Sequence, residues 1–427
     1  MGNEDDGKQA GRMKIAIVGT GVSGLVCAHL LSRGHDITLF EADARPGGHA
    51  HTVTVELPDG SFDVDTGFLV YNERNYPGLV ALFDDLGVAT KPSDMSFGVR
   101  DEVSGLEWKG TSFDTVFAQR RNLVRPSFLR MLGDIGRFNR RARAVLEGRP
   151  DPGVSLGDLL EDGRWSPQFL DWYLVPIGAS IWSADPTTFL DMPALTFARF
   201  FANHGLLDFG NQPAWRTVDG GSRHYVEAIL APLGTAVRTN QPVTKITRSP
   251  DEVELHTADG PERFDHVVVA THSDQALELL SDPSPEERAV LGAIRYQPNR
   301  ATLHTDTSLL PANRKAWASW NYDRIAGQPD RATLTYRLRS LQGIPSRDEL
   351  LITLNRDDAI DPATVLRTFD YAHPVFDVPA IAAQHRHEEI NGRHRTWFAG
   401  AYWGFGFHED GVQSARVVCR RLADEDL

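Results

Sequence analysis

The sequence predicts an α/β protein: a doubly wound, mainly parallel sheet assembled from three separated stretches, carrying a second α+β domain of antiparallel sheet and helices. Three observations predict it. A short β-branched run, Lys14–Val18, opens onto Gly19-Thr20-Gly21-Val22-Ser23-Gly24 and then onto residues of helical spacing. A second apolar run at 267–270 has the composition of a strand buried on both faces. A third stretch at 395–422 reads strand, glycine-rich aromatic turn, amphipathic helix. The first domain is expected at 13–95, 215–290 and 391–427, and the second at 96–214 and 291–390, after a disordered acidic tail at 1–12.

The first turn has the chemistry of a phosphate site. Gly19 permits a tight turn, Gly21 lets a pyrophosphate approach the backbone, and Gly24 lets the helix opened by Val22 and Ser23 lie close on the sheet. That helix is expected over 22–33, with Gly34 stopping it before a second strand, Asp36–Phe40. Glu41 follows 22 residues after Gly19, where a carboxylate can accept the hydroxyls of an adenosine ribose; Ala42 lies beside it. Flavin and nicotinamide dinucleotides share these features. Arg45-Pro46-Gly47-Gly48 is a second glycine turn with a cation placed to reach the pyrophosphate from its other side, which favours FAD. His49 directly follows and is placed beside the cofactor.

Composition narrows the remaining classes. In 427 residues the formal net charge is −14, so no general basic field exists to displace counterions from nucleic acid. Cys27 and Cys419 are the only cysteines, with no metal or disulfide spacing, which fits a reducing cytoplasm. No apolar run approaches the ~20 residues that span a bilayer, so any membrane contact is expected to be peripheral, at the inner face. His49 and His51 lack an acid or thiol cluster, and no metal site is expected.

Residues 49–57 and 62–65 alternate around Pro58-Asp59-Gly60 as a hairpin, and Gly67 and Phe68 continue inward, where a glycine lets the backbone approach a flat ring. A helix is expected at 80–86. Between 117 and 149 there are nine arginines against Asp134 and Glu147, interleaved with apolar residues, which reads as a basic amphipathic helix pair broken near Pro126. Two readings stay open for it: a solvated face with arginines paired to acids elsewhere, or contact with anionic lipid headgroups. Residues 153–210 are rich in large rings, from Trp165 to Phe209, which can be core or can line a long apolar cavity. Another glycine turn, Gly220-Gly221, precedes a helix at 225–230. Strands at 244–247 and 252–256 then lead to the apolar run at 267–270, with Thr271 at its carboxyl end, where doubly wound sheets bind ligands. Alternating segments at 300–306, 316–321 and 332–336 read as the antiparallel sheet of the second domain. Asp410 is expected as N-cap of a helix from Gly411, leaving the N–H groups of 411–413 for an electron-rich ring edge.

Gly19 to Glu41 with Arg45 to Gly48, the middle block through Ala270, and the end from Phe398 to Ala415 resemble the flavin amine oxidase and phytoene desaturase superfamily. Phe68-Leu69-Val70-Tyr71-Asn72, Leu303-His304-Thr305-Asp306 and Trp403-Gly404-Phe405-Gly406-Phe407-His408-Glu409-Asp410 are similar to a subgroup of bacterial flavoproteins encoded beside cyclopropane-fatty-acid synthases. The resemblance implies FAD, with Glu41 on the ribose, Val243 at the adenine through its backbone, and Arg45 and Gly48 at the pyrophosphate. It implies Gly400, Ala401, Gly411 and Val412 at the isoalloxazine. His49 stands where the superfamily usually has an arginine, and Arg300 is the best match for its strand lysine facing the flavin.

The expected function is an FAD-dependent oxidoreductase moving a hydride to or from an apolar, fatty-acyl lipid substrate, with His304, His408, Tyr402 and Arg300 as candidate catalytic residues. A flavin amine oxidase, and a non-catalytic flavin-binding accessory of a lipid-modifying methyltransferase, are the alternatives.

Overall fold

The structure, a computed structural model, describes residues 11–148, 151–161, 163–208, 210–328, 331 and 333–424. Most of the expected tail, Arg149, Phe209 and Ala332 lie outside the described residues; Arg12 lies inside them and its guanidinium pairs with Asp36 at 3.0 Å. The chain forms two compact units. The first comprises the described residues up to His49 with Tyr225–Gly292 and Gln384–Leu427; the second is Ala50–His224 with Ala293–Ala383.

In the first unit a five-stranded parallel sheet runs in the order Val237–Arg238, Asp36–Phe40, Lys14–Val18, His266–Val269, Thr396–Phe398. Ile15, Ile17, Leu39, Val267 and Val268 are fully buried in it, as a sheet covered on both faces requires. The helix Val22–Leu31 follows the central strand and packs on the late helix His408–Asp424. Contact is close because residue 411 is glycine: a Cβ there would stand 2.6 Å from Val22 Cγ1 and 2.9 Å from Ser23 Oγ, and Ser23 Oγ donates to Gly411 O at 3.1 Å. Cys27 and Cys419 are buried free thiols, and Cys419 together with burial pushes the Cys27 thiol well up.

The second unit holds a seven-stranded sheet ordered Val365–Pro374, Tyr296–His304, Leu351–Leu354, Thr333–Arg337, Trp320–Arg324, Phe97–Asp101, Leu106–Lys109. It is antiparallel except where Trp320–Arg324 meets Phe97–Asp101. Its helical part does not form a basic helix pair. One helix, Pro126–Gly148, begins at Pro126, since proline is tolerated in the first turn, and is preceded by short turns at Phe113–Val116 and Arg120–Leu123. The rings of the aromatic stretch pack on one another: Phe197 lies 4.0 Å from Phe201, Trp165 5.1 Å from Phe169, and Phe138, Phe169, Phe197 and Phe201 are fully buried. They are core.

Residues 50–95 and 215–224, expected with the first domain, cluster with the second unit. The hairpin Thr52–Leu57/Gly60–Asp65 is tied there by Gln342, which accepts from Asp65 N (2.9 Å) and donates to Asp65 O (2.8 Å). The Gly220-Gly221 turn is held to the same hairpin by buried Asp65, whose carboxylate accepts from Ser222 N (2.9 Å), Ser222 Oγ (2.6 Å) and Thr52 Oγ1 (2.6 Å).

Candidate cofactor site and active site

All expected cofactor residues except Gly67 and Phe68 lie in the first unit. Gly19 has φ +99° and donates to Phe40 O at 2.8 Å, and a Cβ on it would stand 2.9 Å from Ala270 O and 3.4 Å from Thr271 Cγ2. Only glycine fits this turn. A Cβ on Gly24 would collide with the carbonyl of Gly19, whereas one on Gly21 would meet nothing within 4 Å. The turn is therefore closed behind and open at Gly21, in front of Val22 and Ser23 and a helix with no acid in its first turn.

Glu41 borders that opening. Its Oε2 accepts from Thr20 N (3.1 Å) and from the Thr20 hydroxyl, and its Oε1 accepts from Asp43 N (3.0 Å); Ala42 between them is exposed. The second glycine turn docks on the first: Gly47 N donates to Thr20 Oγ1 at 2.9 Å, and a Cβ on Gly48 would lie 3.0 Å from Gly21 Cα. Gly47 and Gly48 both have positive φ, +117° and +57°. Arg45 turns back onto its own loop, donating to Pro46 O (3.1 Å) and Gly48 O (2.8 Å), so it stiffens the turn as well as charging it. Gln241 N donates to Glu41 O at 2.9 Å, which brings the chain at Val243, itself 8% exposed, alongside the Glu41 segment. His49 lies beside His272 with ring centroids 6.5 Å apart, next to Thr271 at the carboxyl end of the strand His266–Val269.

The third block forms a compact aromatic turn. A Cβ on Gly400 would collide with the Tyr402 ring; Gly400 N donates to Ser414 Oγ at 3.1 Å, and Ala401 opens the short turn Ala401–Trp403. Gln384 Nε2 donates to Tyr402 O (2.7 Å) and Gly404 O (2.6 Å), fixing a loop in which the Tyr402 and Trp403 rings lie 4.9 Å apart at 47°. Trp403 Nε1 is buried without a hydrogen-bond partner.

The last helix starts at His408, three residues before the expected position, because Gly411 N already donates to Phe407 O (3.2 Å). The Gly411 N–H is therefore spent inside the helix, and Gly411, with buried Val412 beside it, serves helix packing. Asp410 is a first-turn residue whose Oδ2 accepts from Phe407 N at 2.9 Å; burial outweighs this bond and raises its carboxyl to about 6. His408 pairs with the Tyr225 hydroxyl through Nε2 at 3.1 Å, and burial lowers its imidazole to about 3, so it is neutral near pH 7.

Two candidate catalytic residues, His304 and Arg300, fall in the second unit. His304 is fully buried; its Nδ1 accepts from Asp306 N (3.0 Å) and its Nε2 faces Thr353 Oγ1 (2.8 Å). With both nitrogens engaged and burial lowering it to about 4, it ties the end of its strand. The Arg300 side chain is half exposed and 4.0 Å from Asp357. Gly67 and Phe68 also belong to the second unit, where Phe68 stacks with Tyr71 at 6.5 Å. Asp410 as a half-buried acid raised by loss of water, and Asp65 as the clamp on the Gly220 turn, were not legible as such. For Asp65 the flanking Thr66-Gly67 was the one available signal.

A parallel sheet with two interlocked glycine turns and a carboxylate bordering the open one has the form of a dinucleotide-binding site. Residues 22–423 match the model of the flavin containing amine oxidoreductase family, and the chain belongs to that family. A protein of Mycobacterium tuberculosis named as a flavin-containing monoamine oxidase, AofH, is 27% identical over 286 residues, 63% of this chain. That alignment spans 59% of the relative's length. Protoporphyrinogen oxidase 2 of Arabidopsis thaliana is 42% identical over 79 residues, 18% of this chain and 15% of its own. Among solved structures, cyclohexylamine oxidase of Brevibacterium oxydans superposes with a TM-score of 0.71 at 17% identity, covering 97% of this chain and 99% of that one. A fatty acid isomerase from P. acnes that produces CLA superposes at 0.69 and 15% identity, covering 96% and 98%. At these identities the two structures establish the fold.

Proposed function

We propose that this flavin-dependent oxidoreductase acts on a long apolar substrate, a fatty-acyl chain, exchanging a hydride with one of its carbons. The observation that carries the reading is the character of the segment Tyr402 to Asp410. It presents Tyr402, Trp403, Phe405 and Phe407 between glycines, and burial drives both His408 and Asp410 toward their uncharged forms. Surroundings that penalise an imidazolium favour a hydrocarbon over an ammonium. The resemblance to flavoproteins encoded beside cyclopropane-fatty-acid synthases points the same way.

When bound, the flavin supplies the hydride acceptor or donor. The chain's residues bind and orient it. Glu41 would hold the ribose hydroxyls through its carboxylate, the N–H groups at Gly21 to Ser23 would hold the phosphates, and Gly47 and Gly48 would close the second side. Tyr402 and Trp403 exclude water from the third block. Anaerobic mixing of the flavin-loaded protein with phospholipids, with fatty acids and with amines tests the proposal. Bleaching by an acyl lipid supports it; bleaching by amines alone overturns it. Amine oxidation is the second reading, favoured by the Tyr402–Trp403 ring pair, which could form half of an aromatic cage.

A further inference from the structure

The exposed large apolar side chains of the described residues are unevenly distributed. Seven exceed one third exposure, and five of them, Val103 (65%), Phe113 (71%), Leu123 (42%), Val124 (80%) and Leu129 (44%), come from 27 residues of the second unit; only Val365 and Val417 lie elsewhere. Short contacts join the segments that carry the five. Arg121 donates to Gly105 O at 2.7 Å, fastening the turn that carries Leu123 and Val124 to the hairpin turn that carries Val103. Leu129 N donates to Arg125 O at 3.1 Å, placing Leu129 one turn beyond Arg125, and Phe113 packs on Phe117 at 4.7 Å, itself 5.7 Å from Phe128.

The charge around this face is the reverse of the whole protein's −14. Most of its acids are withdrawn: Asp101 is paired with Arg324, Glu102 with Arg356 and Asp114 with Arg120 and Lys315, Glu107 is buried and accepts from Ala312 N and Asn313 N, and Asp134 is buried on Ser166 and Arg137, while Glu147 is exposed near the far end of the helix. Several arginines are also spent, Arg125 over Trp172 (4.8 Å) and Arg137 over Trp165 (4.1 Å). Arg130 and Arg140 are exposed and carry no ion pair among the described residues.

We propose that this face docks the protein peripherally on an anionic bilayer, with Val103, Phe113, Val124 and Leu129 entering the headgroup–acyl boundary and Arg121, Arg130 and Arg140 facing lipid phosphates. A valine four-fifths exposed protrudes, and protruding apolar side chains in an arginine collar suit a deformable anionic surface without needing a matching pocket. No helix of the described residues is long and apolar enough to cross a membrane, so the contact is interfacial. The proposal does not rest on the substrate reading and is tested without turnover.

The test is sedimentation of the purified full chain with vesicles of phosphatidylcholine, with and without phosphatidylglycerol. Binding is expected to the anionic vesicles and to fall at least tenfold in 0.5 M salt, in Val124→Asp and in the pair Arg130→Glu/Arg140→Glu. Unchanged melting temperature and flavin content show that the variants fold. No binding, equal binding to both vesicles, variants that bind as the parent does, or release by millimolar inorganic phosphate would overturn the proposal. So would a self-associating chain that Val124→Asp makes monomeric and that ignores vesicles.

Discussion

At Asp410 two opposing effects can be weighed. Its place in the first turn of a helix and the N–H of Phe407 favour the carboxylate, yet removal from water wins and sets its pKa at about 6 against an ordinary 3.8. The native state therefore binds this proton more tightly than the unfolded chain does. Its stabilising contribution is whole below the unfolded value and is lost as pH rises through about 6, an effect on the order of 2–3 kcal/mol. Asp410→Asn is expected to flatten the fall in urea midpoint of the flavin-free protein between pH 4 and 7; an unchanged slope would refute the assignment. His304 calls for a different outcome. With both nitrogens engaged inside the sheet, His304→Gln is expected to lower stability by about 1–2 kcal/mol while leaving flavin reduction within roughly twofold of the parent. A loss of about a hundredfold or more in stopped-flow reduction would return it to the chemistry.

Elements with local signatures were legible, because glycine spacing and strand composition act within a few residues. Gly19, Gly24, Gly47 and Gly48 stand where backbone or a neighbour leaves no space or where φ is positive, and their pattern announces this. The Pro126–Gly148 helix was less so. Its arginines look alike in sequence, but Arg137 lies over Trp165 while Arg130 faces outward, a distinction created by residues far along the chain. The rings of 153–208 were ambiguous for the same reason, since a lining and a packed core need the same composition. One element pair tests how firmly such distant contacts matter. Arg248, on the strand Lys245–Arg248, and Glu287, on the helix Pro285–Leu291, form a two-point ion pair at 2.5 and 2.9 Å with side chains 2% and 1% exposed. Glu287→Ala leaves the buried guanidinium with only half-exposed Asp282, at 3.1 Å, as its carboxylate and also removes the acceptor of Ser284 N, so a cost of about 2–3 kcal/mol in equilibrium unfolding is expected. Less than 1 kcal/mol would mean that Arg248 escapes to water.

At the scale of the molecule, four strands of the parallel sheet were legible because each brings its own turn, whereas the two-residue edge strand Val237–Arg238 and the boundary near His49 were not. Residues 50–95 follow the cofactor turns in sequence yet belong to the second unit through bonds to Gln342 and Ser222, partners that no local pattern names. The first unit is correspondingly scattered, its sheet closing only with Thr396–Phe398 and its first helix covered only by His408–Asp424. A chain ending at residue 391 is expected to be colourless after purification in the presence of FAD; a yellow, stoichiometric product would contradict this. It follows that a ribosome making this protein must have passed the helix His408–Asp424 before a nucleotide can be clasped. Vitamin supply then acts on chains in which that helix has already left the exit tunnel, and their survival against proteases depends on how soon afterwards the coenzyme arrives.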